Sequence, residues 1–320
     1  MDSVIFGDNQ FFGVNHMSEE KARAQAMRFQ DTTEIIKVLD IAYEAGIRSF
    51  MCTTHERIGE ICDHVRANPE KYDDFNFYPC MPYAHKYANA ATEHGIVDAL
   101  RQFLPQNNAL GALLSGGISL ATKDIDGIAR LLIDAEMKMF HGCNTPVIFL
   151  QNVVTDLLLG MGVHQGFKIF HDHVKKKYNA EPGFITMNLP ALLDALEAQG
   201  IDNPIVCCNI NKIAFRMSGG MKAYENVIRT RRFRPIAMSV LASGALGVDE
   251  AIRYVAGLEK VQAIVFGASS RQNIVSTKST IEKYFTRPNQ LGKTSPHNNG
   301  LRAEFAPPQR SQMQPIELKH

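Results

Sequence analysis

Acidic, imidazole and amide side chains in this chain gather directly behind short apolar runs. Asp8, Asn9 and Gln10 follow Val4-Ile5-Phe6-Gly7, with Asn15 and His16 close behind; His55, Glu56 and Arg57 come off the run that ends at Cys52; Tyr83, His85 and Lys86 come off the one that ends at Cys80. Later runs are followed mostly by amides and hydroxyls: Gln151 and Asn152, Asn188, Asn209 with Lys212 and Arg216, and Ser239. Such a division suits proton transfer on one side of a site and substrate holding on the other. His55 and Glu56 are adjacent titratable groups whose pKa values a shared site can push apart, one serving as acid and the other as base. The pair reads equally well as a helix N-cap followed by a first-turn carboxylate stabilised by the helix dipole. Asp8 is a carboxylate at a mouth or a turn residue behind Gly7. The expected catalytic residues are therefore His55, Glu56 and Asp8. The expected substrate-binding residues are Asn9, His16, Tyr83, His85, Lys86, Gln151, Asn188, Asn209 and Lys212.

His16, His55 and His85 come from three consecutive loops and Cys52 and Cys80 end neighbouring runs, but cysteines there read better as small buried hydrophobes, so no metal site is expected. Gly267-Ala268-Ser269-Ser270 opens the last helical stretch, where free backbone N–H groups would receive a phosphate.

The elements that must position these residues are legible as alternating apolar runs and helical patterns. Val4–Phe6, Ile47–Cys52, Phe75–Cys80, Pro146–Leu150, Phe184–Met187, Pro204–Cys208, Pro235–Ser239 and Gln262–Phe266 read as eight buried strands. Between them lie helices: Asp31 with Glu34 predicts a capping box ahead of Ile35, Ile36, Leu39 and Ala42, and Pro190 starts a helix that Gly200 stops. Ser18–Phe29 reads as a polar, partly helical excursion with the character of a lid. Ala88–Gly142 is too long for one crossover and predicts an inserted helical region, while residues 286–320, rich in Pro, Asn and Gln, predict a loop-like tail. Strands and helices alternating at this pace predict an α/β fold, a (β/α)8 TIM barrel spanning residues 1–285, with its active site at the C-terminal ends of the strands.

Three stretches also resemble a known family. Met187-Asn188-Leu189-Pro190-Ala191-Leu192-Leu193, Met238-Ser239-Val240-Leu241-Ala242-Ser243-Gly244 and Phe266-Gly267-Ala268-Ser269-Ser270 are similar to the last strands of the aldo-keto reductase superfamily, a (β/α)8 barrel. The resemblance implies a tetrad of Asp, Tyr, Lys and His that protonates a carbonyl as hydride arrives. Placed on this chain, the aspartate position falls on Met51, the tyrosine near Glu56, the lysine near Cys80 or Met81 and the histidine near Leu150 or Gln151. Met238 takes the place of the aromatic that stacks on nicotinamide, and the amide-binding pair becomes Met187-Asn188.

Composition narrows the partners. With 34 basic and 33 acidic residues in 320 the net charge is +1, so no nucleic-acid footprint is expected, and Lys175–Lys177 and Arg229–Arg234 read as solvated helix ends. No apolar window is long enough to predict a membrane span, and six cysteines without framework spacing predict free thiols in a reducing, cytoplasmic setting. A small-molecule substrate is expected, and a homo-oligomer is compatible with the composition. The leading expectation is a barrel enzyme doing redox-neutral acid–base chemistry, a lyase or isomerase, on a small polar carbonyl or sugar-like substrate without a cofactor. His55 and Glu56 would exchange protons, Asp8 assist, and Asn188, Asn209 and Lys212 hold the substrate. The alternative is a divergent oxidoreductase of the aldo-keto reductase type using NADP, and a third reading is a non-catalytic ligand-binding subunit.

Overall fold

The computed structural model describes residues 2–14, 18–83 and 125–285. Eight strands pair in parallel in chain order, and the last closes against the first. They are β1 Val4–Gly7, β2 Ser49–Thr53, β3 Asn76–Met81, β4 Val147–Leu150, β5 Glu181–Thr186, β6 Ile205–Asn209, β7 Arg234–Met238 and β8 Ala263–Phe266. Each agrees with its expected run to within a few residues at either end, where pairing rather than apolarity sets the limit. The barrel expectation is thereby borne out.

Among the described residues ten helices accompany the strands: α1 Glu19–Arg28, α2 Thr32–Glu44, α3 Glu56–Ala67, α4 Ile125–Met137, α5 Asn152–Met161, α6 Gln165–His173, α7 Leu189–Ala198, α8 Gly220–Thr230, α9 Val248–Ala256 and α10 Arg271–Phe285. Local chemistry sets their ends. Asp31 caps α2 by accepting a bond from Thr33 N at 2.8 Å, but Glu34 completes no capping box; its carboxylate pairs with Lys37 at 2.6 Å instead. Pro190 stands in the first turn of α7, and Leu192, Leu193 and Leu196 form its buried face. α6 is continued by a π turn, Val174–Tyr178. The expected insertion at Ala88–Gly142 lies, up to residue 124, outside the described residues; beyond that it is α4 and a short 3-10 turn, Lys138–Phe140. Residues 286–320 also lie outside them.

Side chains divide into two apolar sets, as alternation along barrel strands requires. Ile5, Met51, Tyr78, Cys80, Phe149, Ile185, Cys207 and Ile236 fill the barrel interior, while Phe6, Phe50, Phe77, Phe184 and Val206 pack outward beneath the helices. Gly183 on β5 makes room for this filling, since a Cβ there would come within 2.3 Å of the Phe149 ring. A filled interior leaves the strand ends as the place for polar groups. All six cysteines are free thiols, and no helix among the described residues is long and apolar enough to cross a membrane.

Candidate active site

The ends of β1, β2 and β3 bring Asp8, Thr53, His55 and Tyr83 to one place. Asp8 follows β1 directly and is only 6% exposed. Its Oδ2 accepts bonds from Thr53 N at 2.7 Å and Thr53 Oγ1 at 2.9 Å. Burial raises this carboxyl from 3.8 to about 6, and the two Thr53 bonds only partly oppose the rise. Asp8 is thus a buried acid that changes protonation near physiological pH.

His55 is the N-cap of α3, its Nδ1 accepting from Arg57 N at 3.2 Å. The ring lies 4.6 Å from the Phe12 ring and meets Tyr83 edge-on at 5.5 Å. Arg57 places its guanidinium 4.8 Å over the other partner of that stack, Phe12, and also donates to Phe29 O. Tyr83 is half-buried; its hydroxyl pKa is raised, first by desolvation and then by the Asp8 charge, with Arg57 opposing. Glu56 stands exposed in the first turn of α3.

On the far side Asn209 and Lys212 are engaged within the protein. Asn209 is buried and donates from Nδ2 to Arg216 O at 2.6 Å, while Lys212 pairs with Glu250 at 2.7 Å. Asn188 precedes α7 without a side-chain cap bond, and its backbone N donates to Thr186 Oγ1 at 2.8 Å. Gln151 occupies the N-cap position of α5, half-buried. Asn9 is exposed in the 3-10 turn Asn9–Phe12. His16, His85 and Lys86 lie outside the described residues. After β7, Ser239, Ala242 and Ser243 all take left-handed φ angles of 46–57°, a compact turn at the same rim.

The loop after β8 is built closely against the start of the chain. A Cβ on Gly267 would meet Gln10 Oε1 at 2.0 Å, so glycine is what permits Gln10 to lie there. Gln10 donates from Nε2 to Gly7 O at 2.7 Å, and its buried Oε1 has no partner. Ser270 Oγ accepts from Asn273 N at 3.3 Å at the head of α10, and Arg28 donates to Ser269 O at 2.9 Å. The Gly267, Ala268, Ser269 and Ser270 segment therefore combines a helix N-terminus with an arginine from α1. No group of three or more His, Cys, Asp or Glu able to hold a metal ion occurs among the described residues.

Two residues at this site, Thr53 and Arg28, carry little or no signal in the sequence. Thr53 stands between Cys52 and His55, and its position as the last residue of β2 was the available signal. Arg28 carried none, since it stands 241 residues from the loop it contacts.

No protein-family model matches the chain, and no curated protein matches it in sequence. Solved structures do. A putative aldo-keto reductase from Pseudomonas aeruginosa superposes with a TM-score of 0.57 at 12% identity, covering 89% of this chain and 91% of that one. An aldo-keto reductase from Bacillus halodurans, in its holo form, gives 0.53 at 11% identity over 88% of this chain and 86% of that one. These neighbours correct two expectations, a lyase or isomerase reaction and independence of any cofactor. Strand ends of a barrel converge on one rim, so a proton donor can reach the same point from a strand other than the one that carries it in the resembled pattern. The chain has the (β/α)8 barrel fold of the aldo-keto reductases.

Proposed function

We propose that this protein is a NAD(P)-dependent oxidoreductase acting on the carbonyl of a small polar substrate, with Asp8 as its proton donor. The observation that carries the reading is the Asp8 carboxyl: buried at the barrel mouth, raised to about 6, and fixed by Thr53. Carbonyl reduction needs a proton delivered to the developing alkoxide, and a group titrating near the working pH delivers it best. Thr53 fixes the orientation of the carboxyl through Oδ2. Tyr83 and His55 form one wall of the mouth and orient the substrate, while Asn188 and Gln151 supply hydrogen bonds from strands four and five.

The residues after β8 fit a phosphate-bearing cofactor. The head of α10 behind Gly267 offers backbone N–H groups, and Arg28 adds positive charge at Ser269. The nicotinamide nucleotide, when bound, supplies the hydride. Met238 at the end of β7 packs with the barrel interior and offers a polarizable thioether where an aromatic ring is otherwise expected.

The test is to titrate NADH and NADPH, following the nucleotide's own fluorescence, and to run a panel of small polar aldehydes and ketones alongside. The chain has no tryptophan, so the nucleotide signal is read without overlap from indole. Micromolar affinity with substrate-dependent oxidation is expected, lost in Asp8→Asn without loss of nucleotide binding. A protein that binds neither nucleotide would overturn the reading.

A further inference from the structure

A second chemically competent cluster lies away from the mouth, at the N-terminal ends of the strands. Cys62 is buried in α3, and Cys143 is half-buried in the segment feeding β4, next to Asn144, which bridges Asn76 at the start of β3. The Cys62 and Cys143 side chains are neighbours within reach of a hydrogen bond. Arg66, one turn further along α3, aims Nη1 at Cys143 Sγ at 3.4 Å. The same nitrogen donates to Met139 O and His141 O, each at 3.0 Å, so the guanidinium is fixed over the segment rather than passing across it. Gly142 takes a φ of 79°, which turns the chain so that Cys143 faces α3 while its neighbours Gly142 and Asn144 remain exposed.

We propose that Cys62 and Cys143 form a peroxide-reactive dithiol, with Cys143 the attacking sulfur and Cys62 the resolving one, closing a disulfide between α3 and the segment that feeds β4. A thiolate attacks peroxide far faster than a thiol, and cations beside a sulfur favour the thiolate. The Cys62 hydrogen bond, followed by the Arg66 charge, holds the Cys143 thiol below its ordinary range, at about 7, while burial and the Asp63 carboxylate oppose the shift. Cys62 moves the other way, well above its ordinary range, through its bond to Cys143 and burial. One sulfur is therefore disposed to ionise and its neighbour to keep its proton, which is the asymmetry a two-step oxidation needs. Cys52, Cys80, Cys207 and Cys208 are deeply buried and raised by that burial, so they do not compete.

The chemistry balances with hydrogen peroxide as the oxidant. The Cys143 thiolate attacks one peroxide oxygen, the O–O bond breaks, hydroxide leaves, and the sulfur becomes a sulfenic acid. The Cys62 sulfur then attacks the sulfenic sulfur, an S–S bond forms as the S–O bond breaks, and water leaves with the Cys62 proton. Two electrons pass from the thiol pair to one peroxide, and a dithiol reductant returns them.

The test treats the full-length protein with a small excess of hydrogen peroxide at neutral pH, blocks remaining thiols by alkylation, and maps non-reduced peptides by mass spectrometry. A Cys62–Cys143 disulfide reversed by dithiothreitol is expected. In Cys62→Ser, a sulfenic acid should accumulate at Cys143, trappable by dimedone. Arg66→Met should slow the reaction about tenfold, with Arg66→Lys restoring most of it. A readout on the wild type alone guards against misfolded variants: the alkylation rate of Cys143 against pH should show an apparent pKa near 7. Oxidation spread evenly over the six cysteines, or a Cys143 alkylation midpoint at or above about 8.5, would sink the proposal.

Discussion

Asp8 Oδ2 is held by both the backbone N and the side-chain Oγ1 of Thr53, at 2.7 and 2.9 Å, so the ends of β1 and β2 are joined through one carboxylate. The bonds orient the acid, and burial sets its charge. Because these two effects have different sources, they can be separated by experiment.

Asp8→Asn should lower kcat/KM for carbonyl reduction by about 10²- to 10⁴-fold, as loss of a positioned acid does. In the wild type, reduction should be fastest below about pH 6 and fall as pH rises through that value, because only protonated Asp8 can donate. Alcohol oxidation should show the opposite profile. Steady-state rates across pH 4.5–8 check both, and identical profiles for wild type and variant would remove Asp8 from the reaction.

The same carboxyl predicts a stability signature. Its folded value of about 6 lies above its ordinary 3.8, so its favourable contribution is complete below the ordinary value and is lost as pH rises through the folded one. That shift amounts to about 3 kcal/mol. Denaturant unfolding of wild type and Asp8→Asn at several pH values should show the wild type losing this much relative to the variant between about pH 4 and 7.

His55→Ala removes the α3 cap and one face of the Phe12 and Tyr83 contacts. Loss of about 1 kcal/mol is expected from the cap. A tenfold or larger fall in kcat/KM should accompany it if His55 also shapes the mouth. Parallel urea melts and initial rates decide the matter, and unchanged rates would leave His55 as a cap alone.

Arg28→Ala should weaken NADPH binding about tenfold, equivalent to about 1.4 kcal/mol, with NADPH affected through KM rather than kcat. Fluorescence titration measures it, and equal affinities would detach Arg28 from the cofactor.

Gly183→Ala tests the barrel filling. With the Phe149 ring 2.3 Å from the new methyl, the ring must move, and overpacking should cost about 1–3 kcal/mol. A melting temperature equal to that of the wild type would show that the interior has slack.

The strands and their parallel order were legible in the sequence because burial on both faces writes itself locally, as runs such as Val147–Leu150 and Ile205–Cys208 separated by helical periods. Helix starts at Asp31 and Pro190 were equally local, since a cap needs only its own first turn. Closure of those strands then implied that polar residues behind them would meet at one end. Which ones meet, and in what state, was not local at all. Asp8 acquires its raised pKa from a low-dielectric setting assembled by three strands, and its partner Thr53 stands 45 residues away. Glu56, adjacent to His55 in sequence, is turned to solvent by the helix that His55 caps. Arg28 reaches Ser269, and Arg66 reaches Cys143, across gaps that no spacing pattern encodes. Apolar periodicity is a property of a segment, whereas desolvation and hydrogen bonding are properties of the enclosure, and only the closed barrel supplies the enclosure.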